Sequence, residues 1–380
     1  MKTQKMKIAM IGQKGIPAIY GGVERHVEEI SRRLVEKGHD VTVYSRPYYM
    51  KENSYNSDEL NGVKIKVVPT IKSKHLDAIV HCFISSVDSI FKNYDIIHYH
   101  AIGPSTLSFL PRIKNSKSVV TVHGLDWQRK KWNKFASLFL QFGEKSSYYF
   151  PNKTIVVSKT LKKYYDGKYN ADVSYIPNGV NLPVLNSPDI IKKKYNLDKD
   201  SYIVFISRLV PEKGCHYLIE AYKQIKTDKK LLIVGGSSHS DDYVKTIKEM
   251  ARDDKRILFT GNVYGQELNE LFSNAYIFIL PSEMEGLPIV ILEALSFGKC
   301  VLASDISENM EVIAPFGKDE YGFSFENKNI KSLREKIELL INNPENVESM
   351  CSNSIDYVKT NYNWDSVADQ TEKIYLSMIK

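Results

Sequence analysis

At 380 residues, with 43% hydrophobic and 26% charged residues, the chain is too long for one ordinary core, suits two domains and is not of a fibrous or disordered class. No apolar run reaches the ~18 residues that a spanning helix needs, and Cys82, Cys215, Cys300 and Cys351 have neither metal-ligand nor disulfide-framework spacing, which reads as reduced cytosolic thiols. The net charge of +7 is uneven: residues 1–180 hold 28 Lys+Arg against 15 Asp+Glu, whereas residues 181–380 hold 24 against 30.

The first predicted strand, residues 7–12, is an apolar run that reads as buried parallel strand, and a loop with Gly15, Pro17, Gly21 and Gly22 follows. Val23, Val27, Ile30 and Leu34 then recur at helical spacing up to the stop at Gly38, and residues 41–45 form the second strand. This is a βαβ unit of the doubly wound type, although the loop is not a G-x-G-x-x-G fingerprint and indicates no dinucleotide cofactor. Gly21 and Gly22 at a helix start allow the backbone close approach to an anion. Strands are expected at 63–68, 96–99 and 118–122, with an amphipathic helix at 76–91. The strand at 118–122 runs into His123-Gly124, where open α/β sheets place ligands. His98 and His100 are weaker candidates, readable as sheet-edge packing.

Residues 127–149 mix Arg129, Lys130, Lys131, Lys134 and Lys145 with Trp127, Trp132, Phe135, Leu138, Phe139, Phe142, Tyr148 and Tyr149. Such a segment suits either a lipid interface or an ordinary helix with a solvated basic face. A strand at 154–158 and the turn Pro177-Asn178-Gly179-Val180 close the first half.

The second half begins with a strand at 202 and a loop carrying Arg208 and Lys213 before Gly214; two fixed cations there can neutralise a pyrophosphate without a metal. Strands follow at 231–236 and 257–261, then a short helix at 267–275. The strand that ends at Pro281 leads to Glu283, Glu285 and the Gly286-Leu287-Pro288 turn, which opens a helix containing Glu293. A helix start presents N–H groups to an anion, and flanking carboxylates accept hydrogen bonds from hydroxyls, so a nucleotide-sugar fits. Residues 330–342, 347–362 and 364–379 are expected as helices. Asp198-Lys199-Asp200 spells D-x-D but lies in a solvated connection, and no metal ligand is assigned.

The Glu285-x7-Glu293 spacing inside Pro-Ser-x-x-Glu-Gly…Glu-Ala-x-x-x-Gly resembles the signature of retaining glycosyltransferase family 4, and Ser207-Arg208-Leu209-x-x-Glu212-Lys213-Gly214 is similar to that family's phosphate-binding segment. Pro177–Val180 matches its inter-domain turn, except that Asn181 stands where Asp is usual. The resemblance implies an α/β fold of the GT-B type, two doubly wound Rossmann-like domains facing a central cleft. Residues 1–182 would bind the acceptor and 183–363 the donor, with a terminal helix at 364–380 packing back on the first domain.

It further implies sugar transfer from a nucleotide-sugar co-substrate, with no resident cofactor. Arg208, Lys213 and the N–H groups of Gly286 and Leu287 would stabilise the departing diphosphate. Glu285 would hold sugar hydroxyls and Glu293 the ribose; backbone at Gly261, Asn262 and Val263 would read the base, while Gly21, Gly22 and His123 would meet donor and acceptor from the other domain. The acceptor is expected to be a glycan or lipid-linked intermediate of bacterial-type surface polysaccharide or glycolipid synthesis, on the cytoplasmic side. The basic first domain is a candidate surface for anionic membrane. A soluble acceptor, a GT-B epimerase or phosphorylase, and a non-catalytic binding protein are the rival readings; nucleic acid is not an expected partner, since no binding motif accompanies the charge.

Overall fold

The computed structural model describes residues 4–379 apart from 53, 54, 72, 74, 75, 130, 131 and 239. The chain divides into two compact units, Met1–Gly179 with Trp364–Lys380, and Val180–Asn363.

Unit 1 is built on β1 (Lys7–Ile11), β2 (Asp40–Ser45), β3 (Glu59–Leu60), β4 (Val63–Val67), β5 (Ile96–His100), β6 (Lys117–Val122), β7 (Lys153–Val156) and β8 (Ser174–Tyr175). Their order is β3-β4-β2-β1-β5-β6-β7-β8, and every pairing is parallel except the short β3/β4 ribbon. Unit 2 contains β9 (Tyr202–Ile206), β10 (Lys230–Val234), β11 (Ile257–Gly261), β12 (Ile277–Leu280), β13 (Cys300–Ser304) and β14 (Phe323–Phe325). These run β11-β10-β9-β12-β13-β14, all parallel. Helices cover both faces of a parallel sheet, so its central strands carry continuous apolar runs rather than an alternating pattern: Ile8–Ile11, Ile203–Phe205 and Ile277–Leu280 are all solvent-inaccessible.

Each sheet reverses its strand order beside its own first strand, between β1 and β5 in unit 1 and between β9 and β12 in unit 2. Ligands of open α/β sheets lodge at the carboxyl ends of strands at such a switch point. One glycine in each unit allows the two flanking segments to meet there. A Cβ on Gly12 (φ +121°), just past β1, would lie 2.3 Å from the carbonyl oxygen of His100. A Cβ on Gly214 (φ +71°) would lie 1.9 Å from the carbonyl oxygen of Pro281, just past β12. Both positions combine left-handed backbone with no room for a side chain.

In unit 1 the C-terminal helix Trp364–Met378 packs on the first helix, Gly22–Glu36. Buried Arg33 bridges Glu29 (2.5 Å) and Asp365 (2.6 Å), and His39 Nε2 lies 2.9 Å from Glu372.

Two expectations change. The stretch 347–362 is not one helix but two, Pro344–Cys351 and Ser354–Asn361. The Ser354 hydroxyl donates to the carbonyls of Cys351 (2.9 Å) and Leu295 (3.2 Å), and this local bonding competes with continuation of the helix. The helix after the acidic loop starts at Ile289, with Pro288 as its cap in extended backbone rather than inside its first turn. Lys130 and Lys131 of the basic aromatic segment lie outside the described residues.

Candidate active site

At the switch point of unit 2, β9 opens into the loop that carries Arg208 and ends in the 3-10 turn Pro211–Lys213, while β12 opens into residues 281–288. The Gly214–Pro281 approach brings these loops side by side, and Glu283 N–H donates to the Glu212 carbonyl at 2.8 Å. Lys213 Nζ therefore reaches Glu285 Oε1 at 2.5 Å, both side chains being largely buried, and the Ser282 hydroxyl donates to the same oxygen at 2.7 Å. From sequence alone the two residues have separate tasks; in the structure they form an ion pair. Ser304 holds the loop from β13 through a bond to the Ser282 carbonyl (2.5 Å), and Asn309 Nδ2 in turn donates to Ser304.

Glu293 lies half-buried in the helix Ile289–Ser296, and Leu287 is buried beside its start. Gly261 closes β11 with a positive φ and open space on its Cβ side; the Asn262 side chain fills the position beside Gly236, and Val263 is buried. Arg208 follows β9 in the same loop as Lys213, so the unit 2 candidates all lie on segments that leave the carboxyl ends of β9, β11 and β12.

Two further carboxylates of this region, Glu283 and Glu308, had no role assigned from the sequence. Glu283 accepts from Tyr217 (2.9 Å) and pairs with Lys328 (3.1 Å); burial together with that carboxylate pushes the Tyr217 hydroxyl up to about 12. Burial also raises Glu308, and the Glu285 charge adds to the effect. The only signal for Glu283 was its place in the acidic loop; Glu308 lies after the next strand and had none.

The unit 1 switch point is lined by imidazoles. His26 comes from the second turn of the helix Gly22–Glu36, His100 from the end of β5, and His123 from the residue after β6. His98 and His100 are not sheet-edge packing, because β5 is a central strand flanked by β1 and β6 and both residues are fully buried. His98 is bonded on both sides, to Tyr375 (2.6 Å) and Thr121 (2.7 Å). His100 Nδ1 lies 3.2 Å from His123 Nε2, and the rings of His26 and His123 meet edge to face at 4.7 Å. His26 Nδ1 lies 2.9 Å from Asn178 Oδ1, so Asn178 has a definite partner within the turn noted from sequence.

Burial holds His26 down to about 4, against a smaller raising effect of the Asn178 bond. The rings of His98, His100 and His123 are likewise held well below the usual histidine range, by burial first and by one another second. His26 escaped the sequence reading because a polar residue in an amphipathic helix gives no sign of which strand ends it faces. Gly21 (φ +103°) caps that helix, and the Glu24 carboxylate, which also accepts from the Lys14 N–H (3.0 Å), fills the space a Cβ there would need. Gly22 is the helix's first residue.

A large apolar surface remains exposed on unit 1. Phe83, Val87 and Phe91 project from or just beyond the helix Asp77–Ile90, and Phe135, Leu138 and Phe142 from the helix Lys134–Tyr149. Phe109 and Ile113 lie between them, and the Phe150 ring contacts both Phe109 (5.5 Å) and Phe142 (6.1 Å). Among the described residues no helix is long and apolar enough to cross a membrane.

Two family profiles match the chain: Glycosyltransferase Family 4 over residues 20–183 and Glycosyl transferases group 1 over residues 187–357. Among relatives, the UDP-Gal:alpha-D-GlcNAc-diphosphoundecaprenol alpha-1,3-galactosyltransferase of Escherichia coli is 25% identical, covering 100% of this chain and 99% of the relative. The GDP-mannose-dependent alpha-(1-6)-phosphatidylinositol monomannoside mannosyltransferase of Mycobacterium tuberculosis is 23% identical, covering 96% of each. In fold, the chain is similar to the sucrose-phosphate synthase of Thermosynechococcus elongatus, with a TM-score of 0.82 at 21% identity over 98% of this chain and 99% of that one.

Proposed function

Since the chain belongs to the group 1, family 4 glycosyltransferases and has their GT-B fold, we propose that it moves a sugar from a nucleotide-sugar to a lipid-linked glycan acceptor with retention at the anomeric carbon. The observation that carries this reading is the paired loop at the unit 2 switch point, where Lys213 and Glu285 form an ion pair, with Arg208 in the same loop as Lys213 and a helix starting shortly after Glu285.

In this reading the bond between anomeric carbon and β-phosphate oxygen breaks, and negative charge develops on the departing diphosphate. Arg208 and Lys213 stabilise that charge, with the Gly286-Leu287 backbone beside them; charge placed in advance lowers the barrier without covalent catalysis. Lys213 exchanges part of its bond with Glu285 for the phosphate, and Glu285 is released to accept from sugar hydroxyls. Glu293 binds the ribose, backbone at residues 261–263 takes the base, and the neutral ring of His123 hydrogen-bonds a sugar or acceptor hydroxyl. The acceptor oxygen attacks on the face the diphosphate leaves, and its proton passes to the departing phosphate oxygen. The reading needs no divalent metal at the diphosphate and no resident cofactor, and Gly21 and Gly22 line the acceptor-side loop.

A lipid-linked acceptor is supported by the lipid acceptors named for both relatives and by the apolar surface of unit 1. Lys92, Arg112, Lys114, Lys134 and Lys145 lie among its exposed aromatic and aliphatic side chains, a combination suited to the headgroup region of an anionic membrane.

The test is nucleotide release from a panel of nucleotide-sugars, with and without diphospholipid-linked glycan, followed by NMR of the product's anomeric centre. Acceptor-dependent release with retained configuration is expected. An inverted product, a glycosyl-enzyme trapped on Glu285, or epimerised sugar released without acceptor would each overturn it.

A further inference from the structure

We propose that His26, His100 and His123 bind a zinc-class transition-metal ion at the switch point of unit 1. One ring nitrogen from each residue lies within 4.8 Å of the other two. The His100–His123 nitrogen separation of 3.2 Å already matches the edge of a tetrahedral zinc site, about 3.3 Å for bonds of about 2.0–2.1 Å. His26 closes the remaining gap by a small ring movement.

The orientation of the rings supports a metal over a plain hydrogen-bonded core. Asn178 Oδ1 accepts from His26 Nδ1, which leaves the lone pair on Nε2, and that atom is buried with no hydrogen-bond partner. Buried polar atoms are nearly always paired, and the unpartnered lone pair of His26 Nε2 beside the His100–His123 nitrogens points to a species that accepts lone pairs. An Asn that fixes the tautomer of a ligating histidine is the usual outer support of such a site. His98, with both nitrogens engaged by Tyr375 and Thr121, is not a ligand but braces the His100 ring at 4.2 Å between centroids.

Donor chemistry narrows the ion. Three imidazoles without a carboxylate suit Zn²⁺, Cu²⁺ or Ni²⁺ and not Mg²⁺, Ca²⁺ or Mn²⁺. His123 is half-buried whereas the other two are closed off, so a fourth coordination position opens on its side, as in sites that keep a water.

The test uses the full, tag-free chain stripped with chelator, and it reads binding rather than turnover, so its outcome is separate from that of the sugar-transfer reading. Calorimetric titration with ZnCl₂ and metal analysis after gel filtration are expected to give one equivalent, and Co²⁺ the visible absorption of a four-coordinate site. His26→Gln and His123→Gln should lower affinity at least about tenfold, and Asn178→Ala about tenfold through the second layer. If His26→Gln does not fold, the half-buried His123→Gln carries the test alone. No uptake by the wild type, or uptake undiminished in His123→Gln and Asn178→Ala, overturns the site.

Discussion

The two units share a central strand order and one way of drawing two loops together with a glycine, yet their switch points hold opposite chemistry. Unit 2 presents full charges, a lysine and a glutamate paired at 2.5 Å with an arginine in the same loop. Unit 1 presents imidazoles that burial keeps neutral. The difference shows that this topology supplies a location and leaves the chemistry to the few side chains at the strand ends. A charged cluster suits a diphosphate, and a neutral one suits hydroxyls or a soft cation.

The largest effect expected from breaking the contrast is on the charged side. Lys213→Ala and Glu285→Ala should each reduce kcat by about 10²–10³-fold with the fold intact by circular dichroism. Because the two residues are paired, the double variant should lose less than the product of the single losses, which steady-state kinetics would reveal.

On the neutral side, pH is the probe. His26 has a folded-state pKa of about 4 against 6.5 unfolded, so below pH 6.5 the unfolded chain takes up a proton that the folded chain refuses. Its contribution is complete above about pH 6.5 and is lost as pH falls toward 4, amounting to about 3 kcal/mol. His98, His100 and His123 shift in the same direction. Urea unfolding at pH 7 and pH 5 should therefore shift the unit 1 transition much more than the unit 2 transition.

The shared element can be tested at the glycines. Gly12→Ala and Gly214→Ala each place a methyl against a carbonyl oxygen and in left-handed backbone, and each should destabilise its own unit by about 2–4 kcal/mol. Equal stability in either variant would show that the loops need not meet. The smallest effect is at the rim: Leu138→Asp, at an exposed position, should change stability by less than about 0.5 kcal/mol. It should nonetheless weaken sedimentation with anionic vesicles.

Strands were legible because a parallel sheet buries both faces, so β1, β9 and β12 stand out as unbroken apolar runs, β1 ending at Gly12 and β12 at Pro281. The order in which they pair was not, since it depends on contacts far apart in sequence. Among site residues, Arg208, Lys213, Glu285 and Glu293 were visible because each lies in a short motif whose spacing has a local physical reason. Their arrangement was not, as the Lys213–Glu285 pair depends on the Gly214–Pro281 approach across 67 residues. The pairing of His26 with Asn178, 152 residues apart, had no local signal. The break at Ser352-Asn353 was missed because apolar periodicity does not register a hydroxyl that bonds its own backbone.

The contact between Gly179 and Trp364 has a consequence for the chain as a heritable object. A Cβ on Gly179 would lie 2.7 Å from the Trp364 ring, and on the other side Val180 N–H donates to the Tyr362 carbonyl at 2.6 Å. Unit 2 is thus spliced into unit 1 as an insertion whose two ends lie next to each other. It can be cut out as a continuous segment, whereas a stop codon near position 363 would leave it whole and strip unit 1 of Trp364 and Tyr375.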